Sequence, residues 1–191
     1  VDYKILLDIN ELSRHMLTGL FSSQTNKTTL TVGVSVSAAE LHVVAIDYDN
    51  STVSLSSVSS VPFDPRQSLD KQVNDALTAF EKAPCRVSVV LSQDMYHMVQ
   101  VEKPDVPEED ITTALPWTLG DLVPYDASNI VLDYIDYPVQ TRTGAKKIDV
   151  FAAEKSSLSA VVESMSKKKG QTLTHIHTKE VLATEMVPDD D

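Results

Sequence analysis

Apolar and polar residues alternate along the early part of the chain in a pattern that predicts β-strands. Over 30–37, every second residue is leucine or valine and the others are small or polar, which is the two-residue period of a strand. The segment 41–48 is apolar on both faces, as expected of a central strand. The segment 52–58 alternates again through Val53 and Leu55. Because short connections join the three segments, they predict an antiparallel meander.

A helical period of three to four residues replaces this alternation in four later parts of the chain. The predicted helices occupy 68–83 and segments that begin near Asp105, Ser156 or Ser157, and Thr178. Ser68 is expected to cap the first helix, and Pro84 to stop it because proline cannot continue a helix. Gly170 is expected to close the carboxyl end of the third.

The helix near Asp105 has the most complete set of residues that mark the start of a helix. Asp105 is expected to cap it, with Pro107 in the first turn and Glu108 at the third position. Its apolar stripe consists of Ile111, Leu115, Leu119 and Leu122. Pro116 lies within this helix, so we expect a kink or a break there.

The order of the elements predicts the fold class. Further strands are expected at 86–91, 98–101, 130–137, 147–153 and 173–176. This order predicts an α/β fold with a mixed sheet, as in a ribonuclease-H-like or actin-like lobe that carries an inserted α/β subdomain. The expected divisions are an N-terminal helix and linker over 1–29, the first part of the lobe over 30–94, the inserted subdomain over 95–145, the remainder of the lobe over 146–187, and a tail over 188–191.

The first 29 residues contain one amphipathic pattern ahead of the predicted lobe. Asp8 can cap a helix, and Glu11 follows three residues later. One face of this helix carries the apolar residues Ile9, Leu12, Met16 and Leu20. Residues 22–29 are polar and predict a linker. The helix is expected to dock on its own or a neighbouring domain. The alternative is a helix on a membrane surface, whose polar face would be expected to carry Lys and Arg.

Charge and cysteine content narrow the function classes. The net charge of −12 and the pI near 4.7 argue against nucleic acid and anionic membranes as partners, and favour a partner with a basic patch. The single cysteine, Cys85, allows no intrachain disulfide. No apolar run is long enough to span a membrane, and no signal-peptide pattern opens the chain. The expected location is therefore the cytoplasm.

The sequence contains none of the common catalytic motifs considered below. The chain has no Gly-rich phosphate motif and no nucleophile elbow, and Cys85 is expected to be a small core residue. His175 and His177 would share one face of a strand, yet no third metal ligand accompanies them. The acidic residues 108–110 are expected to interact favourably with the helix dipole at the amino end of their helix. We therefore expect no catalytic activity, no metal and no cofactor.

The segment from Val101 to Trp117, VEKPDVPEEDITTALPW, resembles the PilM/GspL group of actin-like proteins from type IV pilus and type II secretion systems, and in particular its MSHA-type branch. In that group, a P-x-V-x-E-E-[ED]-[IL] stretch opens a helix of the inserted subdomain. Later features that match the group are Asp133-Tyr134, Ala152-Ala153, and the strand and helix over 173–183. The resemblance covers about residues 30–186.

The resemblance implies an actin-like fold on the cytoplasmic side of the inner membrane. It also implies a role that ties the assembly ATPase to membrane-embedded partners. Nucleotide-binding relatives carry a phosphate loop like Gly-Ile-Asp-Ile-Gly, whereas this chain has Gly33, Ser35 and Ser37 at the first, third and fifth positions, and His42 where a lysine is expected. His177 follows Ile176 where relatives carry Ile-Asp. The loop is therefore a degenerate phosphate site.

Two aromatic residues of the predicted inserted subdomain are candidates for partner contact. Trp117 can be a core residue or an anchor for a partner, and the same alternatives apply to Tyr125. The favoured function is a scaffold without turnover that associates with pilus-assembly proteins. One alternative is an ATP-binding actin-like protein whose second lobe lies outside this chain. Another is an unrelated α/β enzyme, which would require a deep pocket with converging carboxylates or a perturbed histidine.

Overall fold

A computed structural model describes residues 30–49, 52–82, 84–136 and 145–185. The predicted N-terminal helix and linker, the turn expected around Gly144 and the tail over 188–191 lie outside these residues. The strands are β1 Leu30–Val36, β2 Glu40–Asp49, β3 Thr52–Pro62, β4 Cys85–Val90, β5 Tyr96–Glu102, β6 Ile130–Asp136, β7 Lys147–Glu154 and β8 Gln171–His177. The α-helices are α1 Leu69–Ala76, α2 Ile111–Leu119, α3 Lys155–Ser166 and α4 Lys179–Glu185.

The main sheet has five strands in the order β3-β2-β1-β4-β8. The first three strands form the antiparallel meander that the sequence predicts, and β4 and β8 run parallel to β1. Because side chains alternate between the two faces of a strand, Val32, Val34 and Val36 point to one face, where all three are fully buried. They join the core to which α1 and α3 contribute Val73 and Leu158.

The second sheet has three strands in the order β5-β7-β6, with β7 antiparallel to both neighbours. The central strand is buried on both faces. Phe151 and Ala153 belong to the main core, whereas Val150 and Ala152 pack with the buried residues of α2. The predicted inserted subdomain ends at residue 145, before β7, although β7 pairs with β5 and β6. We use the name inserted unit for the part of the chain that contains all three of these strands, which extends to Glu154.

Three helix predictions need correction. The helix predicted over 68–83 ends as an α-helix at Ala76 and continues only as a short 3₁₀ turn, Thr78–Phe80. Ser68 occupies the N-cap position of α1 without a side-chain capping bond. Thr178, which was expected to cap α4, immediately precedes this helix, but its buried hydroxyl likewise has no hydrogen-bond partner among the described residues.

The helix predicted from Asp105 begins later. A 3₁₀ turn, Glu108–Asp110, comes first, and α2 starts at Ile111, because Pro107 holds an extended backbone with ψ of 148°. Pro116 lies inside α2, which continues to Leu119, so the expected break is absent from this described helix. The apolar stripe is confirmed at Ile111, Leu115 and Leu119, whereas Leu122 is 57% exposed.

The carboxyl-terminal part agrees more closely with the sequence. Helix α3 begins at Lys155, one residue before the expected position, and buries Leu158, Val161 and Met165. Gly170 has a φ of +85°, a left-handed conformation that glycine adopts without a steric penalty, but α3 already ends at Ser166 with Lys167 as its C-cap. Gly170 therefore lies in the turn that leads to β8 and does not close the helix as expected.

Candidate partner-binding cleft

A cleft of about 340 Å³ opens where the inserted unit meets the helices that cover the main sheet. Its apolar wall consists of Phe63, Pro65, Leu69, Met95 and Leu158. Its polar rim consists of Gln67, Ser68, Asp94, Tyr125, Glu154 and Ser157. A concavity of this size, lined by apolar and polar side chains in similar number, is a candidate binding site.

The loop between β3 and α1 is fixed by Gln72, a buried polar residue. Its amide oxygen accepts the backbone N–H of Asp64 at 2.7 Å. Its amide nitrogen donates to the carbonyl oxygens of Asp64 at 2.9 Å and Gln67 at 3.1 Å. The Asp64 carboxylate accepts the side-chain and backbone N–H groups of Arg66, which lower the pKa of Asp64. The loop thus satisfies its own polar groups and holds its apolar side chains against the cleft.

Glu154 places a carboxylate on the rim, at the N-cap position of α3. The Ser157 hydroxyl donates to this carboxylate at 2.5 Å, and the Asn129 amide donates to it at 3.4 Å. These bonds, that of Ser157 foremost, hold the pKa of Glu154 below its usual value. Asp94 adds a second acidic group, and none of the residues that line the cleft is basic. The rim therefore favours a positively charged group on a bound segment.

Tyr125, one of the two predicted contact residues, is half-buried and lies on this rim. Its hydroxyl is 3.2 Å from Nδ1 of His97, and the two rings meet edge to face with centroids 5.4 Å apart. Burial, followed by the nearby Glu154 carboxylate, raises the pKa of Tyr125. The neutral phenol is thus held in one orientation beside the apolar wall.

Trp117, the other predicted contact residue, is 80% exposed on α2. The interpretation of Trp117 as a core residue is therefore wrong. Leu115 and Leu119 are each two positions away along the helix and fully buried, so Trp117 points to the opposite side of α2. An indole this exposed is a large apolar surface with a polar N–H, as is common at protein interfaces.

The predicted degenerate phosphate loop, Gly33, Ser35 and Ser37, lies along β1 and just beyond its carboxyl end. The backbone N–H and the hydroxyl of Ser37 both donate to the carbonyl oxygen of Glu40, at 2.9 and 2.7 Å. The N–H of Glu40 donates back to the Ser37 hydroxyl at 3.0 Å. These donors, which a phosphate would need, are already used within the turn. His42, at the position of the expected lysine, has Nδ1 2.9 Å from the hydroxyl of Ser60 on β3.

The remaining candidates lie in separate places. His175 and His177 share one face of β8, as predicted, with stacked rings 5.1 Å apart. No group of three potential metal ligands occurs among the described residues. Cys85 is 1% exposed at the start of β4, in the core as predicted, and burial raises the pKa of its thiol.

No protein-family model and no curated protein matches the chain. Several solved structures match it. The cytoplasmic domain of EpsL, an inner-membrane component of the type II secretion system of Vibrio cholerae, aligns over 85% of this chain with a TM-score of 0.59 and 15% identity. The PilM-PilN type IV pilus biogenesis complex aligns over 78% with a TM-score of 0.58 and 18% identity. A Bacteroides thetaiotaomicron protein of unknown function with an actin-like ATPase fold aligns over 86%, with a TM-score of 0.50 and 12% identity. This chain has the actin-like fold.

The actin-like fold confirms the predicted fold class, including its mixed sheet. The chain spans 60%, 47% and 57% of the lengths of these three solved chains. Within the described residues, none of the helices has both the length and the apolar character needed to cross a bilayer. The cleft was not predicted as a site, because it combines residues from four parts of the chain that are far apart in sequence. Tyr125 was its only residue proposed for contact.

Proposed function

We propose that this chain is a non-catalytic cytoplasmic scaffold of type IV pilus biogenesis, of the MSHA type, and that it corresponds to the biogenesis protein MshI. In this role it lies at the periphery of the inner membrane and links the assembly ATPase to membrane-embedded partners. The proposal is supported by the actin-like fold, which this chain shares with a type II secretion component and with PilM, whose structure is a complex with PilN.

The observation that carries the proposal is the cleft beside the inserted unit. Its apolar residues can contact an apolar side chain of an extended segment, and the carboxylates of Asp94 and Glu154 can bind a positive group next to it. The cleft is partly open to solvent, so it can admit an extended segment of a protein partner. Trp117 offers a second, separate contact on the inserted unit.

The non-catalytic part of the proposal is supported by the turn after β1. The N–H groups of Ser37 and Glu40 are bonded within the turn, so a phosphate would have to displace three hydrogen bonds. We expect calorimetric titration of the full-length protein with ATP and Mg²⁺ or Mn²⁺ to show no binding. Saturable binding that is weakened by Ser37→Asp would favour the alternative, an ATP-binding actin-like protein.

The partner role is tested by immobilising the chain and passing over it a detergent-solubilised inner-membrane fraction from the bacterium that produces this protein. Ser68→Arg places a long cationic side chain in the cleft, and it should leave α1 intact because Ser68 makes no capping bond. Ser166→Arg is the matched control, at the far end of α3. We expect the parent chain and the control to retain pilus-assembly components, and Ser68→Arg to retain at least tenfold less. Equal retention by all three, or retention of no pilus component, would contradict the proposal.

A further inference from the structure

The main sheet has one face that the described helices do not cover. Val32 and Val34 point toward α1 and α3, so Gly33, which lies between them, points to the opposite face. Gly33 pairs with Val44, and Val44 pairs with Val58 on β3. Among the described residues, a β-carbon at Gly33 would meet only the Val44 carbonyl oxygen, at 4.0 Å, which leaves room for another element to approach.

An apolar strip runs along this open face over β2 and β3. It consists of Val44, Ile46, Val53, Leu55 and Val58, and we call it the β3 strip. Its three β3 members are 62%, 65% and 63% exposed, although large apolar side chains are usually covered. The surrounding residues 51–63 contain no charged side chain. From Val53 to Val58 the strip is about 16 Å long at the rise of a strand.

The chain itself contains a segment of matching size and polarity. The stripe of Ile9, Leu12, Met16 and Leu20 spans 12 residues, which as a helix would be about 18 Å long. Residues 21–29 then lead into Leu30 on β1 and can reach about 30 Å when extended. Leu30 lies at the end of the sheet that carries Ser54, next to Val53 and Leu55, and β3 is only two strand spacings, about 10 Å, from β1.

We propose that the segment Ile9–Leu20 docks as an amphipathic helix on the β3 strip of its own chain. Its apolar stripe covers Leu55 and Val58, and its polar side, with Glu11 and Arg14, faces water. The contact gives the uncovered face of the sheet a second layer and turns the N-terminal segment into part of the lobe. This inference is independent of the pilus role.

A second copy of the chain is a poorer occupant of the strip. Burying a valine or leucine is worth roughly 1.5–3 kcal/mol at about 25 cal/mol per Å², which corresponds to about 60–120 Å² for each side chain. The three exposed side chains therefore offer at most about 360 Å² per copy, against roughly 800 Å² per partner in stable complexes. Two copies with a net charge of −12 also repel each other. A tethered segment has an effective concentration on the order of millimolar and needs no such area.

Disulfide capture tests the contact directly, because the natural Cys85 is buried and unreactive in the folded protein. Met16→Cys is combined with Leu55→Cys on the strip or, as the matched control, with Ser54→Cys, which is its neighbour on the opposite face. Under mild oxidation we expect the Leu55 pair to close within one chain at least tenfold faster than the Ser54 pair, at a rate that does not depend on protein concentration. Equal rates, or covalent dimers that increase with concentration, would overturn the proposal; the dimers would indicate a second copy instead.

Hydrogen exchange gives a measurement that needs no cysteine. Replacing Leu12 and Met16 by aspartate puts charge on the apolar stripe, whereas Asn10→Asp with Thr18→Asp adds two carboxylates to the polar side of the same segment. We expect the first pair to speed amide exchange in β3 at least fivefold and the second pair to leave it unchanged. If β3 exchanges equally in the parent chain and in both variants, the N-terminal segment does not cover the strip.

Discussion

His177 should make the stability of the lobe depend on pH. The side chain is 8% exposed at the end of β8, and its Nδ1 has no hydrogen-bond partner among the described residues. Burial, followed by repulsion from His175, lowers the pKa of His177 from 6.5 to about 4. The folded protein therefore binds fewer protons than the unfolded chain between these values. The stability that this difference contributes is present above pH 6.5 and is lost as the pH falls toward 4.

The size of the effect follows from the two pKa values. At pH 5 most unfolded chains carry a proton on this imidazole, whereas about one folded molecule in ten does, so the free energy of unfolding falls by about 2 kcal/mol between pH 7 and pH 5. His177→Gln removes this contribution while other titrating groups remain. We expect urea unfolding at the two pH values to show a difference about 2 kcal/mol smaller for His177→Gln than for the parent chain. His42→Gln, at an exposed position, is the control and should behave as the parent does.

Equal losses of stability between pH 7 and pH 5 in His177→Gln and in the parent chain would contradict this prediction. That result would mean that water or a neighbouring group solvates the protonated imidazole in the folded protein. An NMR titration of the His177 ring in the folded protein then provides an independent measurement. A pKa near 6.5 would identify solvation as the reason.

Three further predictions concern packing and exposure. Phe151→Ala should lower the free energy of unfolding by about 3–5 kcal/mol in urea titrations, because it leaves a cavity beside Tyr96 in the main core. Gln72→Met should cost about 1–3 kcal/mol and speed amide exchange in the preceding loop, because three backbone groups lose their partner. Trp117→Ala should change the unfolding free energy by less than about 0.5 kcal/mol; a loss above about 1 kcal/mol would show that the indole is covered in solution.

Much of the main sheet could be predicted from local patterns, because the alternation of residues 30–37 directly encodes a strand with one buried face. Helix ends were less predictable. Asp105 and Glu108 satisfy the capping pattern, but the extended backbone of Pro107 delays the α-helix until Ile111. The exposure of Trp117 could have been read from the sequence, since a residue two positions from Leu115 and from Leu119 lies about 200° away around a helix.

The cleft and the assignment of β7 depend on contacts that no local pattern reports. Gln72 fits the polar side of a predicted helix, and its role appears only when the loop folds back over it. The segment 147–153 is apolar on both faces, which indicates a central strand but not which neighbours it has. The sequence therefore predicted a buried strand at the correct place, whereas its pairing with β5 and β6 is known only from the structure.

The two-sided burial of β7 has a consequence for how the protein can be divided. A single backbone supplies Phe151 to one core and Val150 to the other, so the inserted unit cannot be cut out, or exchanged for that of a relative, without opening the lobe to solvent. Both units should melt in one cooperative transition. A partner that binds the inserted unit would then also stabilise the strands of the main sheet. A protease that cleaves the inserted unit would lower the stability of the whole protein.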